Sequence, residues 1–212
     1  MKPLSECRLY AFVDTAYLAG RDPELVTACL CDGGADLIQL RAKGAALEEV
    51  RVLARALLAI TQPAGVGLVI NDHPALAREL GADFCHLGQE DFFGAGFLRV
   101  AELRPAPCPL RIGLSTHQPA DAQRALQAAA DYIAIGPVYP TPTKPSAKPV
   151  TLEYVRWAAA HVTVPWFAIG GINLNNLDEV IAAGARRICV VSAILDTPDV
   201  AARCREFKAR LA

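Results

Sequence analysis

The chain has 212 residues, about the length of one domain, and its 53% hydrophobic against 20% charged residues supply ample material for a buried core, which excludes disorder as the main state. A formal net charge of −1, from 21 Lys+Arg and 22 Asp+Glu, excludes broad electrostatic contact with nucleic acid, so an anion has to be met locally, in a pocket. No apolar run reaches the roughly 18 residues of a membrane span, and the first residues meet charge too early for a signal peptide, so a cytoplasmic protein is expected.

In chain order, the short apolar run Leu9–Val13 has strand length, as does Leu37–Leu40. Helical spacing over Leu47–Ile60 leads to a strand at Gly67–Ile70, a helix at Ala75–Leu80 and a strand at Phe84–Leu87. Then come a strand at Leu110–Leu114, a helix at Asp121–Ala129 and a strand at Tyr132–Ile135. A helix at Leu152–Ala160, a strand at Val164–Ile169, a helix at Leu177–Ala182, a strand at Ile188–Val191 and a helix at Val200–Leu211 complete the pattern. The strand runs are apolar on both parities, which predicts a parallel sheet covered on two faces.

A weak repeat, Gly34-Ala35-Asp36, Gly81-Ala82-Asp83, Ala129-Ala130-Asp131 and Gly184-Ala185-Arg186, marks every second turn from helix to strand. Glycine just past a helix end adopts the left-handed conformation cheaply. About eight βα units follow, which predicts an α/β fold of the (β/α)8 TIM-barrel type with residues 1–212 as a single domain. An open doubly wound sheet is the alternative. Against it, Asp14-Thr15-Ala16-Tyr17 stands after the first strand, where that fold places a glycine-rich turn. The seven cysteines are odd in number and scattered, and they read as reduced, small core hydrophobes.

In a barrel, chemistry belongs at the C-terminal ends of the strands. There the sequence places Gln39, Arg41 and Lys43, then Asn71 and Asp72, then His86 to Asp91, and then Ser115-Thr116-His117. Later strands end in Gly136 to Lys144, Gly170-Gly171 and Ser192. Gln39, Arg41 and Lys43 stand two apart on an extended segment and project to one side, and two cations held together suit phosphate oxygens. Asp72 and Asp91 near a diphosphate make sense with a hard cation between them, although either could instead cap a helix, Asp72 the one after His73-Pro74 and Asp91 one after Gly94. Gly170-Gly171 and Ser192 match the usual phosphate site of a barrel. The five prolines from Pro137 to Pro149 suggest a cover over the mouth. His73, His86 and His117 lack metal-ligand spacing, and His86, inside an apolar strand, reads as a structural histidine.

The segments Gln39–Lys43 (Q-L-R-x-K), Asn71-Asp72, His86–Asp91 (H-L-G-Q-E-D), Gly136–Lys144 (G-P-V-Y-P-T-x-T-K) and Ile169–Ile172 (I-G-G-I) resemble the thiamine phosphate synthase family over nearly the whole chain. Ala42 departs from that pattern, since the family often carries Glu there. The resemblance implies a transferase that condenses an aminopyrimidine diphosphate with a thiazole phosphate, releasing pyrophosphate. On that basis Gln39, Arg41, Lys43, Asn71, Ser115 and Lys144 would hold the diphosphate, and Arg41, Lys43, Ser115 and Lys144 would act on the leaving group. Asp72 and Asp91 would hold Mg²⁺, and Thr141, Thr143, Gly171, Val191 and Ser192 would hold the thiazole phosphate. The implied partners are these two small substrates, with no nucleic acid or membrane, and pairing with a second copy of the barrel stays open. So do two rival readings, a thiazole tautomerase and a non-catalytic phosphate-binding barrel.

Overall fold

A computed structural model describes residues 1–143 and 147–211. Eight parallel strands close into a barrel in sequence order: β1 (Leu9–Asp14), β2 (Leu37–Arg41), β3 (Gly67–Asn71), β4 (Phe84–Leu87), β5 (Arg111–Thr116), β6 (Tyr132–Ile135), β7 (Trp166–Ile169) and β8 (Ile188–Cys189). β8 pairs back onto β1 through Leu9↔Ile188 and Tyr10↔Cys189, which excludes the open sheet. Around the barrel lie α1 (Pro23–Asp32), α2 (Leu47–Thr61), α3 (Pro74–Leu80), α4 (Gln89–Gly94), α5 (Pro119–Gln127), α6 (Thr151–His161), α7 (Leu177–Ala182), α8 (Ser192–Leu195) and α9 (Val200–Arg210). Among the described residues no helix is long and apolar enough to cross a membrane.

The strands are buried on both sides for two different reasons. One set of side chains, including Leu9, Ala11, Val13, Ile38 and Leu40, packs outward under the helices. The alternate set, Tyr10, Phe12, Leu37, Val69, Phe84, Tyr132, Phe167 and Cys189, fills the barrel interior, and Leu4 and Cys7 close its lower end. The interior is largely aromatic: the Phe167 ring stands edge-on to Tyr10 at 5.4 Å and to Tyr132 at 5.8 Å. Gly113 makes room for this packing, because a Cβ there would lie 2.1 Å from the Tyr132 ring.

Local chemistry explains where the helices start. Proline opens α1, α3 and α5, where its missing N–H costs nothing. The Asp22 side chain accepts the Glu24 N–H at 2.8 Å and that of Asp199 accepts the Ala202 N–H at 2.8 Å. The helices α1, α4 and α8 lie outside the runs expected from the sequence, since α4 and α8 span only 6 and 4 residues and show little periodicity. The strand expected at Leu110–Leu114 shifts to Arg111–Thr116, and that at Val164–Ile169 starts only after Pro165, which has no N–H to pair. The strand expected to reach Val191 stops at Cys189, because Val191, at φ −112° and ψ −91°, turns the chain into α8.

The repeat has a physical basis at the lower rim. Gly34, Gly81 and Gly184 have φ of +85°, +68° and +104°, the left-handed region expected of them. Each aspartate that follows ties its strand to the one before. Asp36 accepts the N–H groups of Arg8 at 2.8 Å and Leu9 at 3.0 Å, Asp83 that of Leu68 at 3.3 Å, and Asp131 that of Ile112 at 2.7 Å. Ala129 occupies the glycine position of the third copy at φ +58°, where a Cβ is strained. Ala129→Gly is therefore expected to stabilise the fold by roughly 1 kcal/mol, a rise of about 2–4 °C in Tm that thermal denaturation would read.

All seven cysteines are free, and Cys7, Cys85, Cys189 and Cys204 are buried. Burial pushes the Cys7 thiol up to about 11 and that of Cys204 up to about 12, so both stay protonated and act as packing groups.

Candidate active site

One pocket opens at the C-terminal ends of the strands. It gathers Gln39, Arg41, Lys43, Asn71, Asp72, Asp91 and Ser115 from the first half of the barrel, and Thr141, Thr143, Gly171, Val191 and Ser192 from the second. These are all the site residues expected from the sequence except Lys144, which lies outside the described residues.

Alternation along each strand decides which groups enter the pocket. On β2, Leu37 points into the lower interior, Gln39 stands one layer above it and Arg41 reaches the mouth, with Lys43 beyond the strand end. The two cations each carry a carboxylate partner. Arg41 Nη1 lies 2.6 Å from Asp14 Oδ2, and Lys43 Nζ lies 3.6 Å from Asp72 Oδ2. Lys43 is half exposed, so its pair is a weak, solvent-screened attraction that a phosphate can replace.

Asp72 does not cap the helix that follows. The residue preceding α3 is His73, which makes no capping bond with its side chain, while Asp72 Oδ2 accepts Asn71 Nδ2 at 2.6 Å. Asp72 also holds φ +65°, a left-handed conformation that costs energy for a residue with a Cβ. Its N–H donates to the His86 carbonyl at 2.9 Å, which fixes the turn at the end of β3. Asp91 lies in the first turn of α4, so the cap expected of it for a helix after Gly94 does not form. A Cβ at Gly88 would lie 2.7 Å from Asp91 Oδ2, so glycine leaves that carboxylate its place.

Asp72, Asp91 and Glu90 put carboxylates, which are hard oxygen donors, on one pocket, although among the described residues no group of three His, Cys, Asp or Glu gathers closely enough to hold a metal by itself. This donor set fits Mg²⁺, which keeps several waters and takes one or two carboxylates together with substrate phosphate.

Below the mouth runs a hydrogen-bonded chain that the sequence did not reveal. Gln39 Nε2 donates to the Tyr10 hydroxyl at 2.6 Å, the Tyr10 and Tyr132 hydroxyls lie 3.3 Å apart, and the Tyr132 hydroxyl is 3.2 Å from His86 Nδ1. Both tyrosines are fully buried, and burial raises their pKa values well above the ordinary phenol range, so both hydroxyls stay protonated. His86, read from the sequence as a structural histidine, is tied into this chain by its bond to Tyr132 and also lines the pocket.

On the other side of the pocket, Gly171 has φ +64°, and its carbonyl accepts Asn176 Nδ2 at 2.9 Å. A Cβ at this position would lie 2.6 Å from the Pro140 carbonyl oxygen. The Thr143 hydroxyl is 2.9 Å from that of Tyr17, which links the segment after β6 to the turn after β1. His117, also at the mouth, bonds the Gly136 carbonyl through Nδ1 and lies 3.7 Å from Glu90 through Nε2.

Residues 9–194 match the family described as thiamine monophosphate synthase. A thiamine-phosphate synthase of Thermus thermophilus is 47% identical over 180 residues, covering 84% of each chain. Another from Acidothermus cellulolyticus is 44% identical over 99% of this chain and 97% of its own. Among solved structures, thiamine phosphate pyrophosphorylase from Pyrococcus furiosus superposes with a TM-score of 0.85 at 28% identity, covering 98% of this chain and 96% of that one.

Proposed function

The chain belongs to the thiamine monophosphate synthase family, and from that premise we propose that it condenses 4-amino-2-methyl-5-hydroxymethylpyrimidine diphosphate with 4-methyl-5-(2-phosphoethyl)thiazole to give thiamine phosphate and pyrophosphate, or with its 2-carboxy form to give the same two products and CO2. The observation that carries this reading is that two separate sets of residues of kinds suited to anions open on one pocket, Arg41 and Lys43 from one half of the barrel and Gly171 and Ser192 from the other. A reaction between two phosphorylated partners needs that arrangement.

In the proposed reaction the bond between the methylene carbon and the diphosphate oxygen breaks first, and both electrons leave with pyrophosphate. The electron-rich aminopyrimidine stabilises the cation left behind. The thiazole nitrogen then supplies its lone pair to form the new C–N bond, so no protein nucleophile is required. The work of the chain is to bind, orient and exclude water. Arg41 and Lys43 offer fixed positive charge to the leaving oxygens, with Ser115 and Asn71 adding polar contacts, an arrangement that is strong where water is excluded. Lys144 belongs to this set by resemblance. Asp72 and Asp91 would hold Mg²⁺, which when bound supplies further neutralisation of the pyrophosphate. Bare N–H groups near Gly171, the start of α8 at Ser192, and Thr141 and Thr143 would receive the thiazole phosphate.

The test is to mix both substrates, Mg²⁺ and the chain. Thiamine phosphate and pyrophosphate are expected in equal amounts, read by chromatography and a coupled phosphate assay. A thiazole tautomerase or a non-catalytic phosphate-binding barrel would release no pyrophosphate.

A further inference from the structure

We propose that Asp14 is a positioning residue that aims Arg41 at the departing pyrophosphate, an inference that rests on the reaction proposed above. Asp14 ends β1 and stands in register with Arg41 at the end of β2. Its carboxylate is 1% exposed and is absent from the pocket wall, so it acts on substrate only through another group. The two oxygens have separate tasks. Oδ2 takes Arg41 Nη1 at 2.6 Å, and Oδ1 accepts the Ala16 N–H at 3.1 Å, which fixes the carboxylate in the turn Thr15–Tyr17.

A guanidinium has five donors on a rigid plane, so binding one of them orients the rest. Arg41 lines the pocket while held in this way, with its side chain only 16% exposed. Asp14 carries negative charge, which by itself would weaken an anion site. Because the carboxylate is buried and directly paired with Arg41, what the diphosphate meets first is the oriented guanidinium. Two opposing effects therefore follow from neutralising Asp14: the site gains net positive charge, and Arg41 loses its anchor. In a pocket built to hold a fixed geometry the second effect dominates, since preorganisation is what distinguishes a fixed donor from a solvated one.

The experiment is titration calorimetry with inorganic pyrophosphate on the wild-type chain, Asp14→Asn, Arg41→Gln and the double variant, alongside Michaelis constants for both substrates. Asp14→Asn is expected to weaken pyrophosphate about tenfold, the weight of one charge-assisted hydrogen bond. The double variant should bind no more weakly than Arg41→Gln alone, because the effect of Asp14 passes through Arg41. KM for the pyrimidine diphosphate should rise in parallel, while KM for the thiazole phosphate stays within about twofold, a split that general loss of structure does not produce.

Pyrophosphate binding to Asp14→Asn as tightly as to wild type, or more tightly, would overturn the proposal, as would losses that add in the double variant. Should Asp14→Asn fail to fold, Arg41→Lys decides the matter: it keeps the charge but loses the fork, and is expected to weaken pyrophosphate about as much. Wild-type affinity in Arg41→Lys would equally sink the idea. A chain that binds pyrophosphate in this Asp14-dependent way yet forms no thiamine phosphate defeats the proposed reaction and leaves the role of Asp14 standing. Thiamine phosphate formation with no dependence of pyrophosphate affinity on Asp14 defeats the positioning role alone.

Discussion

Asp91→Ala is expected to lower kcat for thiamine phosphate formation by about a thousandfold, or roughly 4 kcal/mol of transition-state stabilisation. The magnitude follows from what the carboxylate faces. Asp72 and Asp91 are the two aspartates on a pocket that also holds Arg41, Lys43 and Glu90, and on the reading proposed above they are the two that would hold the divalent ion. Losing Asp91 leaves Asp72 as the remaining proposed ligand, with its Oδ2 already engaged by Asn71 and Lys43. The fold should tolerate the change, because Asp91 is exposed in the first turn of a 6-residue helix. Steady-state assays with and without chelator complete the test. Chelator should suppress the wild-type chain strongly and the variant little further, whereas activity unaffected by both changes would refute the metal assignment.

Gly171→Ala is the second large effect, and it acts on the other partner. The residue holds φ +64°, where a Cβ is strained, and that Cβ would meet the Pro140 carbonyl oxygen at 2.6 Å and Tyr139 Cβ at 2.7 Å. Relief requires the chain after β7 to move away from the segment after β6, and both line the pocket. KM for the thiazole phosphate is expected to rise about thirtyfold, or roughly 2 kcal/mol, with KM for the pyrimidine diphosphate within about twofold. An unchanged thiazole KM would remove Gly171 from the phosphate site.

Much of the architecture was legible because parallel strands buried on both faces lose their alternation, and because Gly34, Gly81 and Gly184 punctuate the chain where helices end. The candidate site was legible for a related reason. Polar groups such as Gln39, Asn71 and Ser115 at the ends of otherwise apolar strands have no use in the core, so they mark the mouth. Asp14 stood at an equivalent strand end, but a lone aspartate there looks like any turn residue until its partner 27 positions away is known. The Tyr10–Tyr132 contact spans 122 positions and joins residues that read simply as apolar strand members. The apolar neighbours of His86 in sequence did not show that it also faces the pocket, since the face it occupies is set by register with Asn71 and Gly113. Helix α4 is too short to declare a period, which hid the placement of Asp91 in its first turn.

The aspartates Asp36, Asp83 and Asp131 all lie at the rim opposite the pocket, where each links a strand to its predecessor. Hoop tension and the proposed substrate recognition thereby fall to opposite poles of the molecule. Exchanges among the recognition residues leave the hoops intact, so this scaffold is open to repurposing toward new phosphorylated reactants, whereas losses at the far pole would be felt as melting whatever the reactant.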